Sequence, residues 1–379
     1  MFELTEDQRM VSESIRRFVE ERVKPRAAHY DETCEFPWEH VKGLAELGVL
    51  GMHISEEYGG AAFDKVTGSV VIEEVARHDG SLALTIASHN GLCSGHIDMF
   101  GSEAQKKKYL PDLAAGKKLG AWGLTEPNSG SDASGLQTTA VKKGDRWIIN
   151  GAKNFITQGT VGEVFVVLAL TSREKKQHGI TAFILEKGMK GFSQRAIHGK
   201  LGMRSSDTAE LHFDNVEVPA ENQLGELDQG FLNTLQILDR GRITIGALGV
   251  GIARGCLEEG RAYSLDRKQF GKPIADFQAI QWMLADIATE TDAARLLVRR
   301  AASLCDQKKP FSIEASKAKL FASEAAVRAG MKAIQIHGGY GYTREFPVER
   351  YMRDAKLLEI GEGTSEVQRM IIARNVLKS

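Results

Sequence analysis

The sequence contains few cysteines, and none of them is placed for metal binding. Its four cysteines lie far apart and form no CxxC pair; they are Cys34, Cys93, Cys256 and Cys305. The ten histidines show neither HxxxH nor HExxH spacing. Zinc and iron–sulfur sites use ligands that lie close together in the sequence. We therefore expect no metal site, and we expect reduced thiols that fill apolar cores.

The sequence also lacks a long apolar run and an excess of positive charge. No apolar stretch approaches the roughly 20 residues that cross a bilayer. The acidic, amphipathic N-terminus has neither the basic start nor the small-residue cleavage site of a secretory signal. A formal net charge of -1 does not favour general nucleic-acid binding. These absences predict a cytoplasmic protein, or a mature matrix form without its transit peptide, that neither enters membranes nor binds nucleic acid.

The periodicity of apolar residues divides the 379 residues into three parts. In residues 1–118 apolar side chains recur every three or four positions, as in Val11, Ile15 and Phe18, which predicts amphipathic helices. Residues 119–226 contain short β-rich runs separated by turn signals. Long helical patterns return in residues 227–379. The expected fold class is α+β, with an all-α N-terminal domain, a middle β domain and a C-terminal helical bundle.

Strands and helices can be placed approximately within these domains. Four strands are predicted in the middle domain, at residues 146–149, 164–170, 180–185 and 209–218. Their spacing is too short for helical crossovers, so an antiparallel sandwich or barrel is favoured over a Rossmann sheet. In the C-terminal domain the pattern predicts helices at residues 244–267, 277–306 and 313–337. The segment DRGR, residues 239–242, is expected at the opening of the first of these helices.

Near the C-terminus one carboxylate stands between two glycines, in the sequence GEG at residues 361–363. Thr364 or Ser365 can cap a following helix over residues 367–376, because a hydroxyl accepts a bond from a free amide of the first turn. The glycines allow a sharp bend and the close approach of a ligand. Glu362 is therefore a candidate general base, and the alternative is a solvated loop acid.

Three motifs together resemble those of the acyl-CoA dehydrogenase family. They are GLTEPNSGSD at residues 123–132, QIHGGYGYTREFPVERYMRD at residues 335–354, and GEGTS at residues 361–365. Their order, their spacing and the helix–strand–helix layout match the family over nearly the whole chain. The resemblance implies a C-terminal four-helix bundle, bound FAD, and oxidation of an acyl-CoA to the trans-2-enoyl-CoA. It further implies a homotetramer that passes electrons to electron-transferring flavoprotein, in fatty acid or branched-chain amino acid degradation.

The first motif suits a flavin on chemical grounds as well. Hydroxyls of Thr125, Ser129 and Ser131 can meet the polar edge of the ring, and glycines let backbone amides approach. Alone, the stretch would equally be a polar turn before a strand. The resemblance places the adenine-diphosphate half of FAD on a neighbouring subunit, at residues 267–271 and 335–339. The residues that it assigns to FAD are Trp122, Leu124, Thr125, Gly130, Ser131, Phe155, Ile156, Thr157, Arg267, Gln269, Phe270, Phe277, Gln278, Gln335, Gly338, Gly339, Thr364 and Glu366.

The resemblance assigns α-proton abstraction to Glu362 and hydride uptake to flavin N5. Some branches of the family carry their base at the position of Gly241, so a glycine there leaves the role to Glu362. Burial is expected to raise the pKa of this carboxyl. The thioester oxygen is expected to be bound by the Glu362 amide and a ribityl hydroxyl. The substrate-binding residues that the resemblance implies are Ser131, Asp239, Arg242 and Gly363.

Gly361 bears on the shape of the substrate. Many straight-chain members have a tyrosine before the base, so a glycine there predicts a wider pocket that accepts branched or cyclic acyl groups. Two alternatives to a dehydrogenase remain. One is an oxygen-using acyl-CoA oxidase of the same fold, although most such oxidases are longer. The other is a non-catalytic binding or scaffold protein, which the intact flavin motifs do not favour.

Overall fold

The computed structural model describes residues 3–378, and its first domain is helical, as predicted. Residues 1, 2 and 379, at the outer ends of the predicted first and third domains, lie outside the described residues. The helices of the N-terminal domain are α1 (Glu6–Phe18), α2 (Ala27–Thr33), α3 (Trp38–Glu46), α4 (Lys65–Ala76), α5 (Gly80–Ser88), α6 (Gly95–Phe100) and α7 (Glu103–Ala114). Shorter π and 3-10 turns lie at Val19–Val23, Val49–Gly51, Glu56–Tyr58 and His89–Ser94.

The middle domain is an eight-stranded sheet. Its strands are β1 (Gly120–Gly123), β2 (Thr139–Lys143), β3 (Arg146–Thr157), β4 (Val164–Leu170), β5 (Ile180–Glu186), β6 (Phe192–Ala196), β7 (Thr208–Pro219) and β8 (Gln223–Leu224). The order is β6-β7-β3-β2-β4-β5-β8, with β1 also paired to β4. Most pairs are antiparallel, but β1 runs parallel to β4, and Thr139 pairs in parallel with Leu170. The antiparallel prediction was wrong there, because β1 enters from α7 and no hairpin ties its direction to β4.

Strands β4 and β5 are buried on both faces, which accounts for their unbroken apolar sequences VFVVLAL and ITAFILE. Phe165 and Val167 point into the interior of the β domain. Val166 and Ile184, on the opposite face, pack with Leu113 of α7. The sheet is thus joined to the N-terminal helices through an apolar interface.

The C-terminal domain is built from long helices. Its elements are α8 (Gly230–Asp266), β9 (Lys268–Gln269), β10 (Lys272–Pro273), α9 (Gln278–Asp306), α10 (Ser312–His337), α11 (Val348–Leu358) and α12 (Ser365–Val376). α8 begins well before the predicted residue 244, so residues 239–242 lie in its third and fourth turns and not at its opening. Its N-cap residue, Gln229, forms no side-chain capping bond, so the sequence offered no start signal. Within residues 3–378, no helix combines the length and apolar character needed to cross a membrane.

The cysteines only partly follow the prediction. All four are free; Cys93 and Cys256 are buried, whereas Cys34 is exposed. Cys34 ends α2 in a left-handed conformation with φ of 58°, where the chain turns outward before the next helix. The expectation that every thiol fills a core was therefore wrong at this position.

A buried polar network near α11 joins all three domains. Arg353 donates to both carboxylate oxygens of Asp31, at 3.0 and 2.6 Å, and to the Leu201 carbonyl at 3.1 Å. The next residue, Asp354, accepts a bond of 2.5 Å from the Met203 amide. Burial raises the pKa of Asp354 to about 7. α11, which leads into residues 361–363, is therefore anchored to both other domains.

Candidate active site

Glu362 lies in a tight turn between α11 and α12, here called the GEG turn (residues 361–363). The amide of Gly361 donates to the Leu357 carbonyl at 2.8 Å, so the turn continues directly from the end of α11. Glu362 then adopts φ of 52°, and Gly363 adopts φ of 92°. A left-handed backbone is uncommon for a residue with a side chain, and such strain collects at functional sites.

Thr364 begins the helix that follows the turn. Its hydroxyl accepts a bond of 3.3 Å from the Val367 amide, which confirms the predicted cap. Glu366 lies in the first turn of α12, and hydrogen bonds from its own backbone amide and from Thr364 lower its pKa. Two of the residues predicted to bind FAD, Thr364 and Glu366, therefore lie beside the GEG turn.

The carboxylate of Glu362 is directed against α8. Its Oε2 atom is buried and has no hydrogen-bond partner in the described chain. A Cβ built on Gly241 would overlap Oε2 and would lie 3.1 Å from Cδ of Glu362. The glycine at position 241 is therefore what makes room for this carboxylate.

The electrostatic surroundings of Glu362 suit proton transfer near neutral pH. Burial raises its pKa to about 7, while the positive charges of Lys319 and Arg242 oppose this rise. A carboxyl with such a pKa can be ionised at pH 7 and is still basic enough to accept a proton. Glu362 is therefore not a solvated loop acid, and its role as general base stays a prediction.

Two further side chains hold the GEG turn, and the sequence reasoning missed both. Lys319 of α10 donates to the Gly363 carbonyl at 2.7 Å. Gln368 of α12 donates to the same carbonyl at 3.0 Å and to the Glu362 carbonyl at 3.3 Å. The available signal for Lys319 was its position on an apolar helical face, at helical spacing from Ala315 and Ala322.

Asp239 and Arg242, predicted to bind substrate, form an ion pair one helical turn apart. Arg242 is buried and also donates to the Ser316 hydroxyl at 3.4 Å, while its Nε atom has no partner in the described chain. The charge of Arg242 also acts on the Glu362 carboxyl. The structure thus brings Arg242 close to the GEG turn, and Asp239 is joined to it through the ion pair.

A second group of predicted residues meets at the ends of β1 and β3; we call it the cradle. Its members are Trp122, Leu124, Thr125, Phe155, Ile156 and Thr157. The amide of Asn154 donates to the Thr125 carbonyl at 2.8 Å and joins the two segments. Beneath them, the fully buried Lys153 donates to the Leu124 carbonyl at 3.1 Å and to Glu126 at 2.7 Å. Burial lowers the pKa of Lys153 to about 8, against the opposing charge of Glu126.

The cradle presents an apolar ring to solvent. Phe155 is 64% exposed and has φ of 59°, where the register of β3 against β7 shifts. Gly130 and Ser131 lie on an exposed neighbouring loop, and a Cβ at Gly130 would meet open space. The buried Ser129 differs from the prediction, because its hydroxyl is bound to the Asp132 carbonyl at 2.5 Å. The exposed ring of Phe155 offers an apolar surface to a flat ring system such as the isoalloxazine of FAD.

A third group of residues predicted to bind FAD lines a groove of about 720 Å³ in the C-terminal domain. The predicted residues that line it are Arg267, Gln269, Phe270, Phe277, Gly338 and Gly339. Phe270 is 93% exposed, and the Arg267 guanidinium lies 5.7 Å from the Tyr340 ring centroid. Gln278 and Gln335 flank the groove as the first residue of α9 and a residue of the last turn of α10. Exposed aromatics together with the guanidinium of Arg267 suit an adenine and a pyrophosphate.

The groove and the cradle are separate surfaces of the chain. Every lining residue of the groove in the described chain belongs to residues 263–345, and none comes from the middle domain. A single copy therefore does not place the two halves of the expected FAD site in one cavity. This separation agrees with the expectation that the groove serves a neighbouring subunit.

Family models match nearly the whole chain. The acyl-CoA dehydrogenase N-terminal domain matches residues 5–117, the middle domain residues 121–216, and the C-terminal domain residues 228–377.

Individual relatives are similar over their full length. The short-chain specific acyl-CoA dehydrogenase of Clostridium acetobutylicum is 46% identical over 377 residues and covers 100% of both chains. The solved butyryl-CoA dehydrogenase from Megasphaera elsdenii has 43% identity and a TM-score of 0.97, with 100% of both chains covered. A chain solved in work on the electron transferring flavoprotein of Acidaminococcus fermentans has 45% identity and a TM-score of 0.98, again with 100% of both chains covered.

Proposed function

Because this chain belongs to the acyl-CoA dehydrogenase family, we propose that it oxidises a short-chain acyl-CoA to the trans-2-enoyl-CoA, with Glu362 as the base. The chain is an FAD-dependent oxidoreductase of that family. A short acyl group is inferred from the short-chain specific relatives of Clostridium acetobutylicum and Megasphaera elsdenii. The observation that carries the choice of base is the buried Oε2 atom of Glu362, with no hydrogen-bond partner in the described chain and the pKa of its carboxyl raised to about 7.

Glu362 accepts the α-proton of the thioester in this proposal. An ordinary glutamate is a weak base, whereas a buried one with a pKa near the working pH takes up a proton more readily. The positive charges of Lys319 and Arg242 keep a fraction of the carboxyl ionised at neutral pH. The left-handed GEG turn holds the carboxylate against α8 and limits its contact with water.

The developing enolate needs donors at the thioester oxygen. We infer that the backbone N–H of Glu362 is one of them, because it belongs to the same residue as the carboxylate. Arg242, whose Nε atom has no partner in the described chain, would bind the CoA part of the substrate together with Asp239. Base, oxyanion donor and substrate contacts would then all lie within one turn of α8 and the GEG turn.

FAD, when bound, supplies the acceptor for the hydride that leaves the β-carbon. We infer that Trp122, Leu124, Thr125 and Phe155 of the cradle would hold its ring. Arg267, Gln269, Gly338 and Gly339 of the groove would hold the diphosphate and adenine part of FAD from another copy. The complete site would therefore require an oligomer, and we propose a homotetramer.

We further infer that electrons leave through electron-transferring flavoprotein. The support is the likeness to a chain solved in work on that flavoprotein from Acidaminococcus fermentans. An oxygen-using oxidase would instead be reoxidised directly by air, and stopped-flow reoxidation of the reduced protein separates the two outcomes.

Anaerobic titration of the yellow protein with butyryl-CoA tests the proposal. Loss of the visible flavin absorbance is expected for the wild type. The Glu362→Gln variant should bind butyryl-CoA but leave the flavin oxidised. Glu359→Gln is the matched control. Glu359 lies three residues before the base and pairs with Lys356 in the wild type, and this variant should bleach like the wild type. Bleaching of Glu362→Gln at the wild-type rate would refute the role of Glu362.

A further inference from the structure

We propose that Lys319 is a positioning residue for the base: its ammonium holds the GEG turn in place and keeps the carboxylate of Glu362 ionised for proton abstraction. The proposal rests on the function proposed above, in which Glu362 is the base. It concerns a residue of α10 that belongs to none of the three sequence motifs.

The location of Lys319 is unusual for a lysine. Its side chain is fully buried on a helical face otherwise formed by small residues, including Ala318 and Ala322. An ammonium in such surroundings is unfavourable unless it is bound and balanced by negative charge. Burial lowers the pKa of Lys319 to about 8, and the largest opposing effect is the charge of Glu362. The ammonium of Lys319 is therefore stabilised mainly by the negative charge of Glu362 in the GEG turn.

The hydrogen bond of Lys319 acts on the strained part of the backbone. Its Nζ atom donates to the Gly363 carbonyl at 2.7 Å, and Gln368 donates to the same oxygen at 3.0 Å. Two consecutive positive φ angles, at Glu362 and Gly363, place this carbonyl. Such a conformation persists only where surrounding contacts determine it. Lys319 supplies one of these contacts from outside the turn and its flanking helices.

The positive charge of Lys319 is balanced less directly by negative charge than the positive charge of Arg242. Glu362 is influenced by Lys319 from α10 and by Arg242 from α8. Arg242 is neutralised by its ion pair with Asp239. Within residues 3–378, Lys319 shows no ion pair. Besides Glu362, the charge of Arg242 lowers the pKa of Lys319, and the weaker effects of Glu359 and Glu366 raise it. Lys319 is therefore the main positive field at the base.

Two neutral variants separate the charge from the hydrogen bond. Lys319→Gln keeps a donor for the Gly363 carbonyl and removes the charge, whereas Lys319→Met removes both. Loss of a nearby cation raises the pKa of a carboxyl. The pH below which flavin reduction by butyryl-CoA slows, called here the acid limb, should therefore move up by roughly one pH unit in both variants. Lys319→Arg retains the charge and should keep the limb near its wild-type position. At high pH, where Glu362 is ionised in every variant, flavin reduction should remain slower in Lys319→Met than in Lys319→Gln, because only the glutamine still donates to the Gly363 carbonyl.

A second readout does not depend on turnover. The infrared band of the protonated Glu362 carboxyl, identified by its absence in Glu362→Gln, should persist to higher pH in Lys319→Gln than in the wild type. Unchanged acid limbs and unchanged infrared titration in Lys319→Gln would overturn the proposal, even if Lys319→Met fails to fold. Wild-type bleaching by Glu362→Gln would instead defeat the proposed function, so the two failures are distinguishable.

Discussion

The carboxylate of Glu362 occupies the space in which a side chain at position 241 would stand. A Cβ built on Gly241 overlaps Oε2 of Glu362, although the two residues are 121 positions apart in the sequence. The GEG turn and the fourth turn of α8 are thus in direct contact at this point. In this chain, a glutamate at position 362 in this conformation therefore requires a residue without a side chain at position 241.

Gly241→Ala should slow flavin reduction by about 10- to 100-fold, because the added methyl group displaces the Glu362 carboxylate from its position. Single-turnover bleaching with butyryl-CoA measures the effect. Gly260→Ala is the control on the same helix, far along α8 from the base, since its Cβ meets only the ends of two side chains, those of Ile336 at 3.2 Å and Leu284 at 3.6 Å. Equal rates in both variants would contradict the steric argument.

The rate of flavin reduction should fall as the pH drops through about 7. Glu362 must be ionised to accept a proton, and burial raises its pKa from 4.5 to about 7. A pH profile of the anaerobic bleaching rate checks this expectation. An acid limb near pH 4.5, the ordinary value for glutamate, would show that the carboxyl is solvated.

Glu362→Gln should be more stable than the wild type at pH 8. An acid whose pKa is raised by folding binds its proton more tightly in the folded state, so the wild type loses stability as the pH rises from 4.5 through 7. The free energy of unfolding should be higher for the glutamine variant by on the order of 2 kcal/mol at pH 8, and this difference should vanish below about pH 4.5. Urea unfolding of both proteins at the two pH values measures it. A difference that does not depend on pH would contradict the burial of this carboxyl.

Lys153→Met should lower the free energy of unfolding by about 3 kcal/mol, because it leaves the buried carboxylate of Glu126 without its cation. FAD retention should weaken as well, since Lys153 holds the Leu124 carbonyl within the cradle. Denaturant unfolding and dialysis against FAD-free buffer measure the two effects. Lys143→Met, at an exposed position of β2, should change stability by less than about 0.5 kcal/mol. A comparable loss in both variants would refute the assignment.

Gly361→Tyr should narrow the acyl pocket. A Cβ at this position meets only Leu357 of the preceding helix, at 3.6 Å or more, so a Cβ fits without moving the turn. The wild type should be bleached by isobutyryl- and isovaleryl-CoA as well as butyryl-CoA, whereas the tyrosine variant should retain only butyryl-CoA. Titration with this panel checks both expectations. A wild type that responds to straight chains alone would rule out the wide pocket.

Much of the architecture follows from local sequence patterns. The continuous apolar runs of β4 and β5 predict their bounds closely, because both faces of these strands are buried. The helical periodicity of α9 and α10 likewise predicts their extent to within one residue at the start. α8 was predicted too short, because no capping side chain marks its beginning at Gly230. β3 was predicted to end at Ile149, although it continues to Thr157 through register shifts.

The candidate base was visible in the sequence, since a glutamate between two glycines before a capped helix is a local pattern. Its surroundings were not visible. Nothing in the sequence distinguishes Lys319 and Lys153 from the other charged residues, which make up 26% of the chain, and lysine is ordinarily exposed. Only the packing of α10 against the GEG turn, and of β3 beneath the cradle, buries these ammonium groups. The sequence alone singled out the candidate carboxylate, whereas the tertiary structure raises its pKa, because desolvation and neighbouring charge arise from residues distant in the chain.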